Sequence, residues 1–500
     1  MQESESGRST SKIYSQVMKQ GTLSAAVIDR RNLLLMASAA SVLAAGAGGR
    51  LALAAGRQRI RLEDFGGSTR TGHDNGMAFR RAFAAAANQG ADVSLGPGTY
   101  DVAADGLLRN GAIRRPSGVA LVGAGSDRTI VRVTGRSVIN QLFDASSASG
   151  VATSDIAFLG NGVADRSAPY AGAFMLAKLP ASARGSMGNI ELARCRFENF
   201  ASAAWLLVEN HSARYAISGV RSSGCRWISR PGNAPVPGEI TVPAHFLYIN
   251  GYAGPVRDVQ IDDTSMEASY IKGGVALVGD VQGGAVRVDT LANAGSRLPG
   301  IAAGRDGPGS YAIMLYGKPN GVPRNLDVSI GRLIAPFSAG IYSASARSNT
   351  YRIDYASGQR DTRDATLNKG IVAIQSGRDL TIRLGQVEDS NRVVMISIDG
   401  GQNLGSAAAD ANIDVSVSSI ASRRGARDFV IDAGGSPVAG GVRISGRRNG
   451  PADAGVYLRS GPRTILRDID VQGLAGSGAR EELSVGPGRI DMRSVSARGR

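Results

Sequence analysis

Three groups of side chains in the middle of the chain have residue types that perform acid–base or ion-binding chemistry. In the densest group, Asp262, Asp263 and Glu267 supply carboxylates of the kind that hold Ca²⁺. Lys272 and Tyr270 follow directly and are candidates for the base and acid of a catalytic site. Because successive residues of a strand point to opposite sides, only one of the two adjacent aspartates needs to face a cleft. A solvated strand end is the alternative interpretation.

Two of the three histidines form the second group. His211 follows Glu209 and Asn210, and His245 lies in the sequence Pro-Ala-His-Phe. Histidine is the side chain best suited to proton transfer near neutral pH, so both are catalytic candidates. A structural role is the alternative for each.

Cationic and aromatic candidates for substrate binding form the third group. Tyr316 and Lys318 lie close together, and Lys318 is one of only six lysines in the chain. Such a lysine neutralises the carboxylate of an acidic sugar, and Arg257 is a further cation for the same purpose. An exposed surface position is the alternative for these side chains.

These groups must be positioned by a repetitive array of short strands. In the second half, one strand series is predicted at 325–330, 351–354, 380–384, 412–417, 442–444, 468–471 and 490–492. A second series interleaves at 340–342, 370–372, 393–396, 429–431, 455–458 and 483–485. Both series repeat at roughly 25 to 30 residues, which predicts a solenoid with stacked coils. A sandwich of sheets would not keep one period for so many cycles.

Long interruptions of this period are concentrated in the first half. Segments 164–185, 230–243 and 298–309 are rich in Pro, Gly, Ala and Ser. Insertions of this kind leave a coil between strands and form the walls of a groove. We therefore expect the binding cleft on the middle coils.

A distinct stretch, residues 62–102, precedes the repeats. It contains an Asp-Phe-Gly entry, a predicted amphipathic helix between an N-cap at Asp74 and a stop at Gly90, and the sequence Pro-Gly-Thr-Tyr at 97–100. One short helix cannot bury its own apolar stripe, so it must cover the end of something larger. This stretch resembles the N-terminal signature of the pectate-lyase-like, right-handed parallel β-helix proteins. The resemblance implies an all-β, single-stranded right-handed parallel β-helix with a capping helix.

The resemblance also implies activity on polysaccharides. Lyases of this group remove a proton next to a uronate carboxylate with a Lys or Arg base, often with Ca²⁺. Typical polygalacturonases carry Gly-His-Gly and Arg-x-Lys motifs, but here Gly72-His73-Asp74 is the nearest match and no Arg-x-Lys occurs. The Asp-Pro-His motif of calcium-dependent C5-epimerases is absent as well. We therefore expect a lyase acting on an acidic polysaccharide, with a non-catalytic carbohydrate-binding protein or a glycoside hydrolase as alternatives.

Composition and charge agree with this class. The chain has 67 glycines, 5% aromatic residues and a formal net charge of +15, which favours polyanionic partners. It has no recognition helix, zinc pattern or RNA-binding motif, so nucleic acid is not an expected partner. Cys195 and Cys225 lie thirty residues apart in similar contexts, and stacking on neighbouring coils would allow either a disulfide or two buried thiols.

The N-terminus resembles an export signal. Arg30 and Arg31 precede a mildly apolar, Ala/Gly-rich run, as in twin-arginine leaders, and an uncleaved membrane anchor is the alternative. We predict a leader at 1–54, a cap at 55–102, the β-helix at 103–492 and a polar tail at 493–500. The predicted location is periplasmic or secreted, without a stable membrane span after processing. The sugar, the oligomeric state and the metal requirement stay open.

Overall fold

The computed structural model describes residues 57–163, 168, 170–202, 204–229, 245–267, 273–292, 311–334, 339–357, 370–390, 392–397, 410–421, 427–433, 438–448, 452–460, 465–466, 468–473, 479–485, 489–490 and 495–498. The predicted leader, Tyr270 and Lys272 lie outside these ranges. No helix of the described part is long and apolar enough to cross a membrane.

Strands dominate the described chain. The cap and first coils contain β1 Arg59–Arg61, β2 Asp92–Ser94, β3 Gly98–Ala103, β4 Ile113–Arg114, β5 Ala120–Val122, β6 Thr129–Thr134, β7 Gln141–Asp144, β8 Val151–Ser154 and β9 Ala157–Leu159. The middle coils contain β10 Ala173–Leu179, β11 Met187–Ala193, β12 Arg196–Glu198, β13 Ala204–Asn210, β14 Ile217–Ser223, β15 Arg226–Ile228, β16 His245–Glu267, β17 Gly273–Ala292, β18 Tyr311–Tyr316 and β19 Arg324–Ile334.

The last coils continue the same pattern. They contain β20 Ala339–Ala344, β21 Thr350–Ser357, β22 Gly370–Gln375, β23 Leu380–Glu388, β24 Val394–Ser397, β25 Asp410–Ala421, β26 Arg427–Ala433, β27 Val438–Arg448, β28 Ala452–Ser460, β29 Ile465–Leu466, β30 Ile469–Gln472, β31 Ala479–Val485, β32 Arg489–Ile490 and β33 Val495–Arg498. A 3₁₀ helix, Leu62–Phe65, and the α-helices α1 Gly76–Gln89 and α2 Ala104–Asn110 complete the described elements.

Every strand pairs in parallel with strands of neighbouring coils. The first strand series runs β7–β10–β13–β16–β17–β18–β20–β22–β24–β26–β28–β31. The second runs β5–β8–β11–β14–β16–β17–β19–β21–β23–β25–β27–β30–β33. The 23-residue β16 pairs successively with β13, β14 and β15, so one long strand passes through three series in a single coil. This topology is the predicted parallel β-helix.

Two details of the predicted strands and tail differ. The sequence predicts the segment 490–492 in the series of β30, but β32 at Arg489–Ile490 pairs with β29 instead. The next strand after β30 in the second series is β33, which pairs with it. Strand pairing therefore extends into the segment 493–500 that was predicted as a tail.

Helix α1 covers the end of the solenoid, as expected of a cap. Phe79 and Phe83 are fully buried and lie edge-on to Phe143 of the coil, with ring centroids 6.1 and 6.2 Å apart. Gly90 ends the helix with a φ of 62°, a left-handed conformation that glycine adopts readily. The predicted stop is confirmed.

The predicted N-cap is displaced by one residue, because the helix begins at Gly76 and Asn75 occupies the cap position. Asp74 instead accepts hydrogen bonds from the backbone N–H groups of Gly76 and Ala103, both at 3.0 Å. The buried Asn75 amide ties the preceding turn to Asp101, whose carbonyl it contacts at 2.9 Å. The turn is therefore structural.

Aromatic rings stack in the interior of the solenoid, although aromatic residues are only 5% of the chain. Phe158, Phe197 and Trp227 stack face to face on successive coils, with ring centroids 5.5 and 4.1 Å apart. Cys195 and Cys225 take neighbouring positions in the same coils, since Arg196 pairs with Arg226. Both cysteines are buried free thiols, and burial followed by a hydrogen bond to Cys195 raises the pKa of Cys225. The predicted stacking is confirmed, without a disulfide.

Candidate functional site

The outward side of the first strand series carries the candidate site. In β10 and β13, Met175, Ala177, Leu206 and Val208 belong to the interior core, and the alternate residues point away from it. Leu176, Leu207 and Tyr248 lie in register on β10, β13 and β16, and Lys178, Glu209 and Asn250 form the next outward row. We call these two rows, with the adjoining Tyr170, His211, Tyr252 and Lys318, the tyrosine face.

Glu209 and His211 form the polar centre of the tyrosine face. The His211 Nε2 atom lies 3.1 Å from the Glu209 Oε2 atom, and both side chains keep about a quarter of their surface exposed, at 27% and 21%. A carboxylate in contact with an imidazole orients the ring. This pair can accept a proton from a bound molecule.

The turn after β13 fixes the position of His211. Asn210 is fully buried and donates hydrogen bonds to the carbonyls of Tyr215 and Pro255 at 2.9 and 2.8 Å. Its Oδ1 atom accepts a hydrogen bond from the Ser212 N–H at 2.9 Å, and the His211 N–H donates to the Leu179 carbonyl at 2.9 Å. The imidazole is therefore held by a satisfied buried network.

An exposed tyrosine and a lysine continue the face across the next coils. The Tyr252 ring centroid lies 4.9 Å from that of His211, and 49% of this tyrosine is exposed. The Lys318 Nζ atom lies 5.5 Å from the Tyr252 centroid, within the range of a cation–π contact. Lys178 stands beside Glu209 on the neighbouring strand. Cations therefore flank the Glu209–His211 pair on both sides.

Tyr170 and Tyr248 form a second polar pair. Their ring centroids are 6.3 Å apart, in an edge-to-face arrangement with an interplanar angle of 68°. Burial, then the charge of Glu209, raises the pKa of Tyr170. Burial also raises the pKa of Tyr248, with further contributions from Tyr170 and Glu209. Both phenols therefore stay protonated at neutral pH and can donate a proton or a hydrogen bond.

A cavity of about 290 Å³ adjoins this tyrosine pair. Tyr170 lines it, together with Leu176 and Leu207 of the outward row. Leu207 precedes Glu209 by two residues on β13, so the cavity and the Glu209 carboxylate lie about 7 Å apart along one strand. The face therefore combines a concave apolar part with a polar part.

The structure brings some of the predicted site residues to this face. His211 and Lys318 belong to it, and Tyr316 lies in register with Val278 in the outward row that contains Glu209 and Asn250. Tyr316 packs against an apolar cluster of Tyr311, Ala339, Tyr342, Ala344 and Ala373. It therefore lies at the end of the face.

His245 is close to the tyrosine face but fully buried. Its ring centroid is 6.2 Å from that of Tyr248, and no part of the residue is exposed. The adjacent Gly273 leaves room for it, since a Cβ atom there would lie 2.6 Å from the imidazole. The ring thus packs beneath the tyrosine face. Because it is buried, the structure does not support the prediction that it acts directly on a substrate.

The predicted Ca²⁺ ligands do not converge. Asp262 is exposed on the second strand series, whereas its neighbour Asp263 is 2% exposed and points into the core. Glu267 lies beside Ile228 on another part of the coil. Within the described ranges no group of three or more His, Cys, Asp or Glu residues is arranged to hold a metal ion.

Asp263 has a structural role instead. Its carboxylate accepts hydrogen bonds from the Ser222 hydroxyl, the Cys225 N–H at 3.0 Å and the Trp227 Nε1–H at 2.8 Å. Burial raises its pKa to about 6 despite these hydrogen bonds. The carboxylate therefore ties three strands together inside the solenoid.

The other predicted residues lie elsewhere. Arg257 is exposed on the second strand series, in register with Ser218 and Gln282, whereas the tyrosine face follows the first series. Lys272 and Tyr270 fall outside the described residues, so their catalytic roles stay predictions.

The sequence reading missed three members of the site, Tyr170, Tyr248 and Tyr252, and did not select Glu209 or Lys178. The alternating pattern of β10 and β13 contains the signal for Lys178 and Glu209, which stand 31 residues apart in register. Tyr170 precedes β10 in an irregular turn, and the coil period does not predict where a side chain in such a turn lies.

Comparison with known proteins adds fold-level likenesses. No protein-family model and no curated protein sequence matches the chain. An Azotobacter vinelandii mannuronan C-5 epimerase A-module aligns with 86% of this chain and 99% of its own at 13% identity, TM-score 0.45. A Thermotoga maritima exopolygalacturonase aligns with 87% and 92% at 13% identity, TM-score 0.31.

A Streptococcus pneumoniae surface adhesin, PfbA, aligns with 87% of this chain and 94% of its own at 11% identity, TM-score 0.36. These likenesses are remote, and the strand registers themselves establish the architecture. The chain is a parallel β-helix protein, and its outer surface carries a clustered aromatic and acid–base site.

Proposed function

We propose that this protein is an exported polysaccharide lyase that cleaves a uronate-containing polymer by β-elimination on the tyrosine face. The carrying observation is the contact of Glu209 with His211 at 3.1 Å, flanked by the Tyr170–Tyr248 ring pair and by two lysines. These groups supply a base, an acid and cations on one outward face.

Elimination from a uronate has three requirements. A cation first balances the carboxylate charge, and Lys178 and Lys318 are placed for this role on either side of Glu209. A base then removes the proton from C5, and His211 accepts it as the electron pair forms the C4–C5 double bond. The C4–O bond breaks with its electron pair, and the leaving oxygen takes a proton from the Tyr248 phenol.

The protonated state of the Tyr248 phenol at neutral pH is compatible with a role as the acid. A phenol that stays protonated is available in every enzyme molecule at neutral pH. The Glu209 carboxylate opposes ionisation of this phenol and also contacts the His211 imidazole that serves as the base. One carboxylate thus acts on both the acid and the base of the proposed reaction.

The carboxylate geometry favours elimination over hydrolysis. Glycoside hydrolases use two carboxyl groups about 5 to 9.5 Å apart. Asp144 also lies on the outward side, in register with Leu176 and Leu207. It is two coils away from Glu209 and two residues back along the strand direction, so the Cα atoms of Asp144 and Glu209 are about 12 Å apart. Asp280, on the following coils, is paired with Arg324 at 3.3 Å and with Gln282 at 2.9 Å. Neither completes a hydrolytic pair with Glu209.

Export fits this activity because a polymer substrate lies outside the cell. The twin arginines at the N-terminus support export, and the net charge of +15 attracts an acidic polymer. A non-catalytic carbohydrate-binding role is the second candidate. It is favoured by Tyr170 and Tyr252, which are 42% and 49% exposed and offer ring faces to sugars without any chemistry.

Incubation with a panel of acidic polysaccharides tests the proposal. We expect ultraviolet absorbance from unsaturated uronates with at least one polymer, and its loss in the Glu209→Gln variant. Chain shortening without this absorbance would indicate hydrolysis. Retention of the polymer on immobilised protein without shortening would indicate binding alone.

A further inference from the structure

The cavity beside the tyrosine pair has a lining that differs in charge from the rest of the tyrosine face. Its apolar part consists of Leu176 and Leu207, which lie side by side in register on β10 and β13. Its polar lining residues are Asn140, Gln141 and Tyr170. None of the lining residues that the structure describes carries a formal charge.

This lining disfavours a charged sugar. A carboxylate placed in the cavity would lose water without gaining a cation from the described lining, which costs free energy. The Glu209 charge, which already acts on Tyr170, would repel it further. The uronate carboxylate therefore belongs beside the lysines, and a different residue of the polymer enters the cavity.

The same lining suits a neutral sugar with an apolar group. The amide side chains donate and accept hydrogen bonds, as sugar hydroxyls require. The two leucines contribute an apolar patch against which a methyl group loses contact with water. Three alanines, at 168, 171 and 173, keep the remaining wall small and leave room for one sugar ring.

We propose that this cavity is a subsite for an uncharged sugar residue that carries an apolar group, such as the methyl group of a 6-deoxy sugar. The substrate is then a mixed polymer in which such a residue neighbours the uronate. The position of the uronate rests on the proposed lyase function, whereas the preference of the cavity rests on its own lining.

Two polymers with the same uronate test the subsite. Polygalacturonate carries a carboxylate on every residue, and a rhamnogalacturonan backbone alternates galacturonate with the 6-deoxy sugar rhamnose. We expect the wild-type kcat/KM to be about tenfold higher on the alternating polymer, the discrimination that a few buried apolar atoms provide. The Leu176→Trp variant fills the cavity and is expected to abolish this preference.

A second variant and a binding measurement keep the test independent of folding and catalysis. Leu176→Asn changes the polarity at a partly buried position and should also reduce the preference to about one. Affinity electrophoresis of the Glu209→Gln variant measures binding of both polymers without turnover. We expect about tenfold tighter binding of the alternating polymer, and loss of that difference when Leu176→Trp is added.

The outcomes separate the two proposals. Equal kcat/KM values and equal affinities for the two polymers, or a preference that survives both Leu176 variants, would overturn the subsite. A preference in binding that Leu176→Trp removes, without unsaturated product from either polymer, would support the subsite and overturn the lyase function.

Discussion

The outward surface of the first strand series on the middle coils differs sharply in chemistry from that of the second series on the following coils. On the first strand series, the outward row is apolar and aromatic through Leu176, Leu207 and Tyr248, and it borders a cavity. On the second series, one outward row runs through Arg287, Ser329, Arg352 and Arg383. Both surfaces rest on one continuous apolar core.

Two arginines of the second surface form ion pairs, Arg287 with Asp327 at 3.8 Å and Arg352 with Asp354. Arg352 lies 2.7 Å from Asp354, and both side chains are more than half exposed, at 61% and 52%. Exposed ion pairs of this kind contribute about 0 to 1 kcal/mol. The partly buried Glu209–His211 pair instead borders a cavity and protonated phenols. The solenoid therefore supplies a common frame, and the candidate site lies on one of its outward surfaces.

The largest expected effect comes from the centre of the tyrosine face. Glu209→Gln and His211→Asn should each lower kcat/KM by about 10²- to 10⁴-fold, the usual contribution of general acid–base catalysis. Initial rates on the best polymer of the panel provide the measurement. Arg352→Gln is the matched control from the second surface, and we expect less than a twofold change. Comparable losses in all three variants would end the distinction between the surfaces.

A smaller loss is expected at the proposed acid. Tyr248→Phe removes the phenolic proton and should lower kcat by about 10- to 100-fold with little change in KM. A synthetic substrate with a more acidic leaving group needs no protonation and should recover most of the rate. If that substrate suffers the same loss, Tyr248 only supports the face structurally. Tyr170→Phe should have a smaller effect because it removes only a partner of Tyr248.

The interior that both surfaces share responds to pH through Asp263. Its pKa is raised to about 6, so between about pH 4 and pH 6 the folded state holds a proton that the unfolded state has lost. The free energy of unfolding therefore falls as pH rises through this window, by on the order of 2 to 3 kcal/mol from this group.

The Asp263→Asn variant isolates this effect. It cannot titrate, and it places an amide against the Trp227 Nε1–H donor, which destabilises it by about 1 to 3 kcal/mol. The difference in unfolding free energy between wild type and variant should shrink between pH 4 and pH 6. Urea unfolding followed by tryptophan fluorescence measures it, and a constant difference across that window contradicts the assignment.

The smallest effect is expected at the edge of the tyrosine face. Lys318→Gln should raise KM by about 3- to 10-fold with kcat nearly unchanged, since an exposed cation binds the uronate in ground and transition states alike. Added salt should weaken substrate binding less in this variant than in the wild type. A loss confined to kcat would instead assign Lys318 to the chemical step.

The coil period made the fold predictable, whereas the site depended on neighbours that the period does not encode. Interior positions such as Val328 and Val415 repeat because stacked coils must bury matching apolar rows. His211 and Lys318 were predictable from residue type alone. The partnership of Tyr170 with Tyr248 was not, because it joins an irregular turn to a strand two coils away.

The error at Asp263 has a similar origin. Three carboxylates within six residues resemble a cation site in sequence, but strand alternation exposes Asp262 and buries Asp263. The partners that satisfy Asp263, Ser222 and Trp227, come from the preceding coil about forty residues earlier. Closeness in the sequence therefore predicted a cluster of carboxylates that the fold keeps apart.

The masses of the reaction products test the central claim most directly. Elimination breaks the chain without adding water, so each unsaturated product is one water lighter than the corresponding hydrolysis product. We predict that mass spectrometry of a wild-type digest shows the lighter series, that Arg352→Gln gives the same series at an unchanged rate, and that His211→Asn gives almost none. A hydrolytic series from the wild type, or an undiminished unsaturated series from His211→Asn, would contradict the account.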